Sequence, residues 1–416
     1  MNEERNILRN RPLLTLMYGH FTVDTYVGVL PVLFPLLRDQ FSLDLYTVGF
    51  VSLAYSGVAS LSQPLFGYLA DRYGTRFAGI ALAWSATMFA TIGFAPNFPT
   101  LLVLAALAGL GSGAYHPMGA MNASAVIPEK QRNTAMSVYV TGGTLGVALG
   151  PILGAVLFSV FGVRGTALMF FPGIFGAILL LFEMRKIALP RAPRHDAMAR
   201  SVAAPHAAVP LVPLFAVILV MSSRSWTILG IEAFIPTWYK SLGYSAAFYG
   251  PLATTVVLAS AFGTIGSATL ADRFGRRTVI VGLLVLSIPT ILLFAAFTGP
   301  IAFVTGALIG LLAASTSPLM LVMAQQLMAG RAGLASGLIL GLGFITGAIG
   351  VPINGKIADH FGIAATMRFQ VLIVVVSIGI ALFLPTETYL RDLALRRATP
   401  SHTRPVTVPA TAGDGD

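Results

Sequence analysis

A charged ten-residue segment occurs twice in this chain, and the two copies are 201 positions apart. The first copy reads GYLADRYGTR from Gly67 to Arg76, and the second reads ATLADRFGRR from Ala268 to Arg277. The same offset relates further pairs: His116-Pro117 to Ser317-Pro318, Gly146 to Gly347, Pro151 to Pro352 and Gly154 to Gly355. Because separated segments share one offset, the chain is predicted to consist of two similar halves.

Long apolar runs separate the charged segments. Of the 416 residues 56% are hydrophobic and 10% are charged, whereas soluble domains have about 25% charged residues. Runs of this length can cross about 30 Å of hydrocarbon as helices. We predict spans at 12–37, 46–70, 77–95, 99–126, 133–160, 164–184, 211–239, 246–270, 278–298, 300–328, 332–358 and 363–385. The predicted fold is an all-α integral membrane protein with twelve transmembrane helices in two six-helix repeats.

Four regions follow from this pattern. Residues 1–184 form an N-terminal six-helix half, 185–210 a linker, 211–385 a C-terminal six-helix half, and 386–416 a largely disordered tail. The linker is rich in Pro, Ala and Arg and has no apolar period. The tail contains a charged stretch, ETYLRDLALRR, that can form a short helix. The polar, basic first eleven residues lack the features of a cleaved signal peptide.

The formal charge of +10 would suggest a nucleic-acid partner in a soluble protein. In a membrane protein, Lys and Arg instead gather in cytoplasmic loops and set the orientation. If both termini are cytoplasmic, 20 of the 26 basic residues fall in cytoplasmic segments. We therefore expect a multi-pass protein of the plasma (inner) membrane with cytoplasmic N- and C-termini and no nucleic-acid partner. The chain contains no cysteine, which excludes disulfides and thiolate metal ligands.

Ionisable side chains inside predicted spans are the candidates for substrate binding or proton coupling, because they are costly in a bilayer. They are His20, Asp24, His116, Arg224 and Glu232. Asp24 and Arg224 lie at a similar depth, about 18 to 20 Å from the cytoplasmic ends of their helices at about 1.5 Å per residue. We expect these two charges to face each other between the halves. The pair can be functional, or it can be a permanent ion pair that only helps assembly.

Two histidines accompany these charges. His20 is one turn from Asp24 on the same helix face. His116 precedes Pro117, which removes a backbone hydrogen bond from its helix. Each histidine can relay protons or can simply bond to a neighbouring helix. Either Asp24 or Glu232 can be the carboxyl group that changes charge as access alternates.

The repeated loop, the twelve spans and the central linker resemble the major facilitator superfamily of secondary transporters, whose halves are repeats. Thr75 departs from the family motif, which has a basic residue there, and Ala268 replaces the first glycine of the second copy. The resemblance implies alternating access, with a cytoplasmic gate formed by Gly67, Asp71, Arg72, Gly74, Arg76, Asp272, Arg273, Gly275, Arg276 and Arg277. Alternatively, the arginines of these loops serve only membrane orientation.

Shorter segments resemble the fosmidomycin-resistance group of drug exporters. They are GHFTVD from Gly19, FPLLRDQFSL from Phe34, GSGAYHP from Gly111, GRAGLASGL from Gly330 and IADH from Ile357. A further set is similar to a motif of proton-coupled antiporters: Gly146, Gly150, Pro151 and Gly154. This set can serve close helix packing or act as a hinge. Ala105 stands where drug antiporters often carry an arginine, which is a departure from their proton-coupling scheme.

The expected function is proton-coupled export (antiport) of a small drug-like or amphipathic molecule by a monomer in the lipid bilayer. The proton gradient is the expected energy source, and no cofactor, metal or catalytic residue is expected. One alternative is an organic-anion or metabolite uniporter or symporter with Arg224 as the anion anchor, and another is a membrane receptor that binds ligand without transport. The chain shows no enzyme motif such as Gly-x-Ser-x-Gly.

Overall fold

The computed structural model describes residues 10–126, 132–187, 209–329 and 332–398. Seven helices form the first half: α1 Arg11–Phe41, α2 Leu45–Ser52, α3 Val58–Tyr73, α4 Ala78–Thr91, α5 Phe98–Ala125, α6 Arg132–Phe161 and α7 Phe170–Ile187. A π-helical turn, Leu53–Gly57, joins α2 and α3 into one span. The 3₁₀ turns Ile92–Phe94 and Gly162–Met169 follow α4 and α6.

The second half repeats this order. Its helices are α8 Leu211–Ser241, α9 Ala246–Phe274, α10 Arg276–Ala296, α11 Ile301–Ala313, α12 Ser317–Leu327, α13 Ala332–Phe361 and α14 Ile363–Ala381. A further helix, α15 Glu387–Ala398, follows in the tail. Most of the predicted linker, and the tail after residue 398, lie outside the described residues. The first half's last helix continues to Ile187, three residues beyond its predicted end.

Ten described segments are long and apolar enough to cross a membrane. One of them, Met136–Ile187, contains both α6 and α7, and Ala78–Phe94 is a shorter apolar helix. When α6 and α7 are counted separately and Ala78–Phe94 is added, the described segments account for the predicted twelve spans. The all-α membrane fold class is confirmed. The predicted helix 300–328 is interrupted at 314–316, and Pro318, which has no N–H to donate to the carbonyl of Ala314, lies in the first turn of the helix that follows.

The repeated loops turn at a glycine. Gly74 follows α3 with a φ of 85°, and its counterpart Gly275 follows α9 with a φ of 84°. Only glycine adopts this backbone region without steric cost, so it ends a helix efficiently. Elsewhere side chains fix helix starts: Asn97 accepts a 2.9 Å hydrogen bond from the backbone N–H of Thr100. Asp44 does the same for Thr47, and hydrogen bonding to Thr47 lowers the pKa of the Asp44 carboxyl.

The terminal side of the protein is the side on which α1 begins and α14 ends, and the distal side is opposite. The halves are joined on the distal side. Asp359 of α13 accepts 2.8 Å hydrogen bonds from the backbone N–H groups of Leu45 and Tyr46 at the start of α2. Lys240 of α8 forms an ion pair with Asp39 of α1. Each pair places one partner in each half, so the two contacts hold the distal side closed.

Close backbone packing supports this closure. A side chain at Gly49 would meet the backbone of Pro352 within 3 Å, and one at Gly355 would meet the carbonyl of Leu45. By contrast, each repeated loop exposes an acidic and a basic residue on the terminal side. These residues are Asp71 and Arg72 in the first loop and Asp272 and Arg273 in the second. The two halves therefore contact each other distally, while these loop charges stay accessible.

Substitution of Asp359 by alanine is expected to weaken distal closure, because it removes the acceptor of two backbone N–H groups at a helix start. Such a cap contributes about 0.5 to 2 kcal/mol, which changes a two-state ratio roughly two- to thirty-fold. Since the chain has no cysteine, spin labels can be placed at cysteines introduced at the exposed distal residues Pro96 and Thr298. The distance distribution should gain longer distances. Asp392→Ala, on exposed α15, is the control, and an unchanged distribution in Asp359→Ala would contradict this role.

Candidate functional site

Three ionisable side chains of the first half meet around Asp24. His20 Nε2 lies 3.2 Å from Oδ2 of Asp24, and His116 Nε2 lies 3.2 Å from Oδ1. The side chains of His20, Asp24 and His116 are 12%, 15% and 26% exposed. We call these three residues the Asp24 cluster. Its members are enclosed by protein but still accessible, as expected for groups that exchange protons or contact a ligand.

Helix α6 supplies the wall of this cluster. The carbonyl oxygen of Tyr139 lies 2.9 Å from Nδ1 of His20, and the two rings stack with centroids 4.3 Å apart. One turn further along α6, a side chain at Gly143 would overlap His20 Nε2 and Asp24 Oδ2. A glycine is therefore required at position 143, because any larger residue would displace the cluster.

A fully hydrogen-bonded Asp24 cluster requires a defined number of protons. A carbonyl oxygen only accepts, so Nδ1 of His20 must carry a proton. When the 3.2 Å contacts of His20 and His116 with Asp24 are both hydrogen bonds, they require a second and a third proton. Two neutral imidazoles and an ionised carboxylate hold only two. The fully bonded cluster thus carries one additional proton and no net charge, and losing that proton leaves a charge of −1.

The same three side chains form a group in which the candidate metal-ligand atoms lie within 4.8 Å of one another. The sequence predicts no metal site. In the observed geometry each carboxylate oxygen of Asp24 contacts the Nε2 atom of one histidine. A divalent cation would therefore have to displace the protons that link the three residues.

Arg224 is not brought to Asp24, although the sequence analysis predicted that the two charges face each other. Its Nη2 donates a hydrogen bond to the carbonyl oxygen of Ala314, in the interruption between α11 and α12 of its own half. Cations are favoured at such helix C-terminal carbonyls.

A one-residue difference in position explains this result. Under the 201-residue offset Asp24 corresponds to Ser225, while Arg224 corresponds to Val23, which is fully buried. Consecutive side chains on a helix point about 100° apart. Arg224 therefore projects into its own half, toward the interrupted helix.

Glu232 lies two turns beyond Arg224 on α8. It lines a small cavity of about 60 Å³ between the halves, together with Pro31 of α1, Ser52 of α2 and Pro151 of α6. The five predicted coupling residues thus occupy three places. The histidines and Asp24 form one cluster, Arg224 binds a helix end, and Glu232 faces the junction of the halves.

The predicted antiporter-like set is a packing surface in this structure. A side chain at Gly146 would overlap the carbonyl of Phe21 on α1, and one at Gly150 would lie within 3 Å of Gly28. Gly154 has more space, with its nearest neighbour at 3.3 Å. These contacts support the close-packing interpretation for Gly146 and Gly150.

In the second gate loop, Arg276 has partners in α15 and α12. Arg276 contacts Glu387 of α15, with Nε 3.5 Å from Oε1 and its backbone N–H donating to the same oxygen at 3.2 Å. Its Nη1 also donates to Gln326 at 2.6 Å. The gate function itself stays a prediction, because it concerns contacts that form when the terminal side closes.

Three contributors were missed by the sequence analysis: the Tyr139 carbonyl, Asp359 and Lys240. The contact of Tyr139 is made by its backbone, which carries no residue-specific signal. Asp359 lies in the IADH segment, which the sequence analysis used only as a resemblance to the fosmidomycin-resistance group. Its partners are backbone N–H groups 313 and 314 positions away along the chain. The one available signal was the glycine pattern of α6, which predicts close approach to another helix.

Gly143→Ala is expected to disrupt the Asp24 cluster while leaving the protein folded. The added methyl group overlaps both charged partners, and overpacking of this kind costs about 1 to 3 kcal/mol. Proton uptake by the purified protein should fall about tenfold or more, with a modest decrease in melting temperature. Gly341→Ala is the matched control, since a side chain there meets no neighbour within 4 Å. Equal proton uptake in both variants would show that the cluster tolerates displacement.

Comparison with known proteins places this geometry in a family. The family model of the Major Facilitator Superfamily matches residues 16–267 and 214–411. YfnC of Bacillus subtilis (strain 168), described as an uncharacterized transporter of this type, is 31% identical over 385 residues, covering 90% of this chain and 92% of that protein. The fosmidomycin resistance protein of Escherichia coli (strain K12) is 26% identical over 383 residues, covering 89% and 92%.

A solved structure shares the fold. It is a bacterial homologue of the human lysosomal transporter Spinster, in an inward-facing and occupied conformation, with a TM-score of 0.76 and 17% identity, covering 92% of this chain and 96% of that one. The family match extends over both halves, and the relatives match over most of their length. This chain belongs to the Major Facilitator Superfamily and is a multi-pass membrane transporter rather than an enzyme.

Proposed function

We propose that this transporter is a proton-coupled antiporter that exports small drug-like or amphipathic molecules by alternating access. The observation that carries the proposal is the pair of 3.2 Å contacts that His20 and His116 make with the carboxylate of Asp24. When all three contacts are hydrogen bonds, the cluster holds one proton more than two neutral histidines and a carboxylate do. The cluster can therefore store one proton without net charge and release it as a single unit.

The proposed orientation places the terminal side in the cytoplasm of a plasma-membrane protein. It rests on the concentration of Lys and Arg in the segments of that side. In this orientation the structure is closed toward the outside by Asp359 and Lys240. Substrate would then enter from the cytoplasm.

Competition at Asp24 provides the coupling. In the protonated cluster the carboxylate oxygens are taken by the two histidines, so they are not available to a ligand. Loss of the proton leaves one negative charge and weakens one of these contacts, which favours a cationic or hydrogen-bond-donating substrate at the same place. Because a ligand shifts a conformational equilibrium only by binding one state better, exclusive binding of proton or substrate couples their opposite movements.

The relatives support the substrate class. One is named a fosmidomycin resistance protein, and another is the multidrug resistance protein MdtG of Enterobacter lignolyticus (strain SCF1), 26% identical over 333 residues. The anion alternative, with Arg224 as anchor, has weaker support because the guanidinium already binds the Ala314 carbonyl. Glu232, at the junction of the halves, is a second carboxyl group available to substrate or proton.

Asp24→Asn tests the proposal, since the amide retains the shape of the side chain but cannot take up the coupling charge. In liposomes containing the purified protein, a panel of hydrophobic cations, phosphonates and organic anions is applied with and without a pH gradient. Wild-type protein should move protons opposite to a transported compound, and Asp24→Asn should abolish this movement. Asp392→Asn, on exposed α15, is the control. Substrate flux that ignores the pH gradient would overturn antiport and favour the uniporter alternative.

His20→Gln separates proton storage from substrate binding, because in the bonded cluster His20 donates from both ring nitrogens and so carries the additional proton. Glutamine can still donate one hydrogen bond to Asp24, but it cannot exchange a proton with solvent at neutral pH. We expect substrate affinity to remain within about threefold and substrate-driven proton movement to fall at least tenfold. His360→Gln is the matched control, because His360 is exposed and bonds to the carbonyl of Lys356 in its own helix. A parallel loss of affinity and coupling would assign His20 a structural role.

A further inference from the structure

A second cavity lies in the first half, away from the Asp24 cluster. Its volume is about 360 Å³, and it forms a groove in which α3 and α4 are the walls and α5 is the floor. The lining includes Leu69 and Tyr73 of α3, Ile80 and Trp84 of α4, and Leu110 and Ala114 of α5. Side chains on α5 advance by about 100° per residue, so Ala114 and His116 point to nearly opposite sides. The groove is therefore separate from the proton site.

The lining of the groove is apolar and therefore suits an apolar ligand. Its one indole N–H, that of Trp84, donates to the backbone carbonyl of Leu107 at 2.9 Å. The volume equals about a dozen waters at about 30 Å³ each, but an ordered water needs two to four polar partners, which this lining does not offer. Tyr73, Ile80 and Trp84 are 48%, 53% and 44% exposed, so the groove opens on the protein surface. In a membrane-spanning helix bundle that opening faces acyl chains.

Two arginines stand at the terminal end of the groove. The guanidinium of Arg72 lies 5.5 Å from the ring centroid of Tyr73, and that of Arg76 lies 4.7 Å from the ring of Phe77. Both rings line the groove. Both arginines are exposed, and neither forms an ion pair with an acidic residue in the described part of the chain. Guanidinium groups bind phosphate oxygens in a fixed fork geometry.

The repeat supplies an independent comparison. At the corresponding loop of the second half an anionic group is already present, because Glu387 of α15 accepts from the backbone N–H of Arg276 at the start of α10. The tail helix is fixed there by Arg397, which donates to the carbonyls of Gln326 and Leu327 at 3.0 Å. In the first half, the described residues place no carboxylate at the equivalent position.

We propose that the groove binds an anionic phospholipid, with an acyl chain between α3 and α4 and its phosphate group between Arg72 and Arg76. The apolar slot matches the chain, and the two guanidinium groups at one end match the negative head. The lipid would thereby stabilise the first repeated loop from outside, as Glu387 does for the second loop from within the chain.

Native mass spectrometry of the full-length protein in detergent tests this site, with phosphatidylglycerol and phosphatidylcholine titrated in parallel. Wild-type protein should retain phosphatidylglycerol in preference to phosphatidylcholine. The double variant Arg72→Gln/Arg76→Gln should lose affinity for phosphatidylglycerol by about tenfold or more. The matched control is Arg273→Gln/Arg277→Gln, which removes the equivalent charges of the second loop and should leave affinity unchanged.

A second variant tests the groove itself. Ala114→Phe fills the floor without changing charge, and it should reduce phosphatidylglycerol affinity as strongly as the arginine variant. Loss of affinity in the control double variant, equal retention of both lipids by wild-type protein, or unchanged binding in Ala114→Phe would each overturn the proposal. Glycerol phosphate at the same concentration should not compete, and full competition would mean that the arginines bind free phosphate rather than lipid.

Discussion

The burial of one carboxylate governs the construction of the first half. A charge at mid-membrane depth costs several kcal/mol unless a partner balances it, and Asp24 has two histidine nitrogens 3.2 Å from its carboxylate oxygens. Two residues of α6 support this arrangement. The Tyr139 carbonyl fixes which nitrogen of His20 carries a proton, and Gly143 leaves the space that the cluster occupies. The close approach of α1 and α6 is thus a condition for the chemistry as well as for packing.

The two halves share a fold but use corresponding positions differently. In the first half α5 runs unbroken past Pro117, and His116 contacts Asp24. In the second half the equivalent helix breaks before Pro318, and Arg224 binds a carbonyl exposed by the break. The first half therefore places a carboxylate between two histidines, while the second holds a positive charge against a helix end. Corresponding positions of the repeat thus carry groups of different chemistry.

The sequence predicted the fold and the members of the site better than it predicted their partners. Twelve apolar runs and a 201-residue offset suffice for the all-α two-fold repeat, because each signal averages over many residues. The identity of the buried ionisable residues also followed, since such residues are rare in membrane helices. The pairing of Asp24 with Arg224 did not, because depth along a helix is readable from sequence while direction around it depends on how helices pack. The break at Ala314–Thr316 and the Tyr139 carbonyl are likewise consequences of backbone geometry.

Distal closure illustrates why such contacts escape sequence analysis and still control the state of the molecule. Asp359 holds α2 by accepting from two backbone N–H groups, so any residue except proline could stand at positions 45 and 46 and donate the same bond. Lys240 and Asp39 add a charge pair at the ends of α8 and α1. Close glycine packing adds backbone contacts to these polar ones, since Gly49 of α2 lies against Pro352 of α13 and Gly355 of α13 lies against Leu45. Contacts made through the backbone leave no residue pattern from which the sequence could predict them, although they hold the two halves together on the distal side.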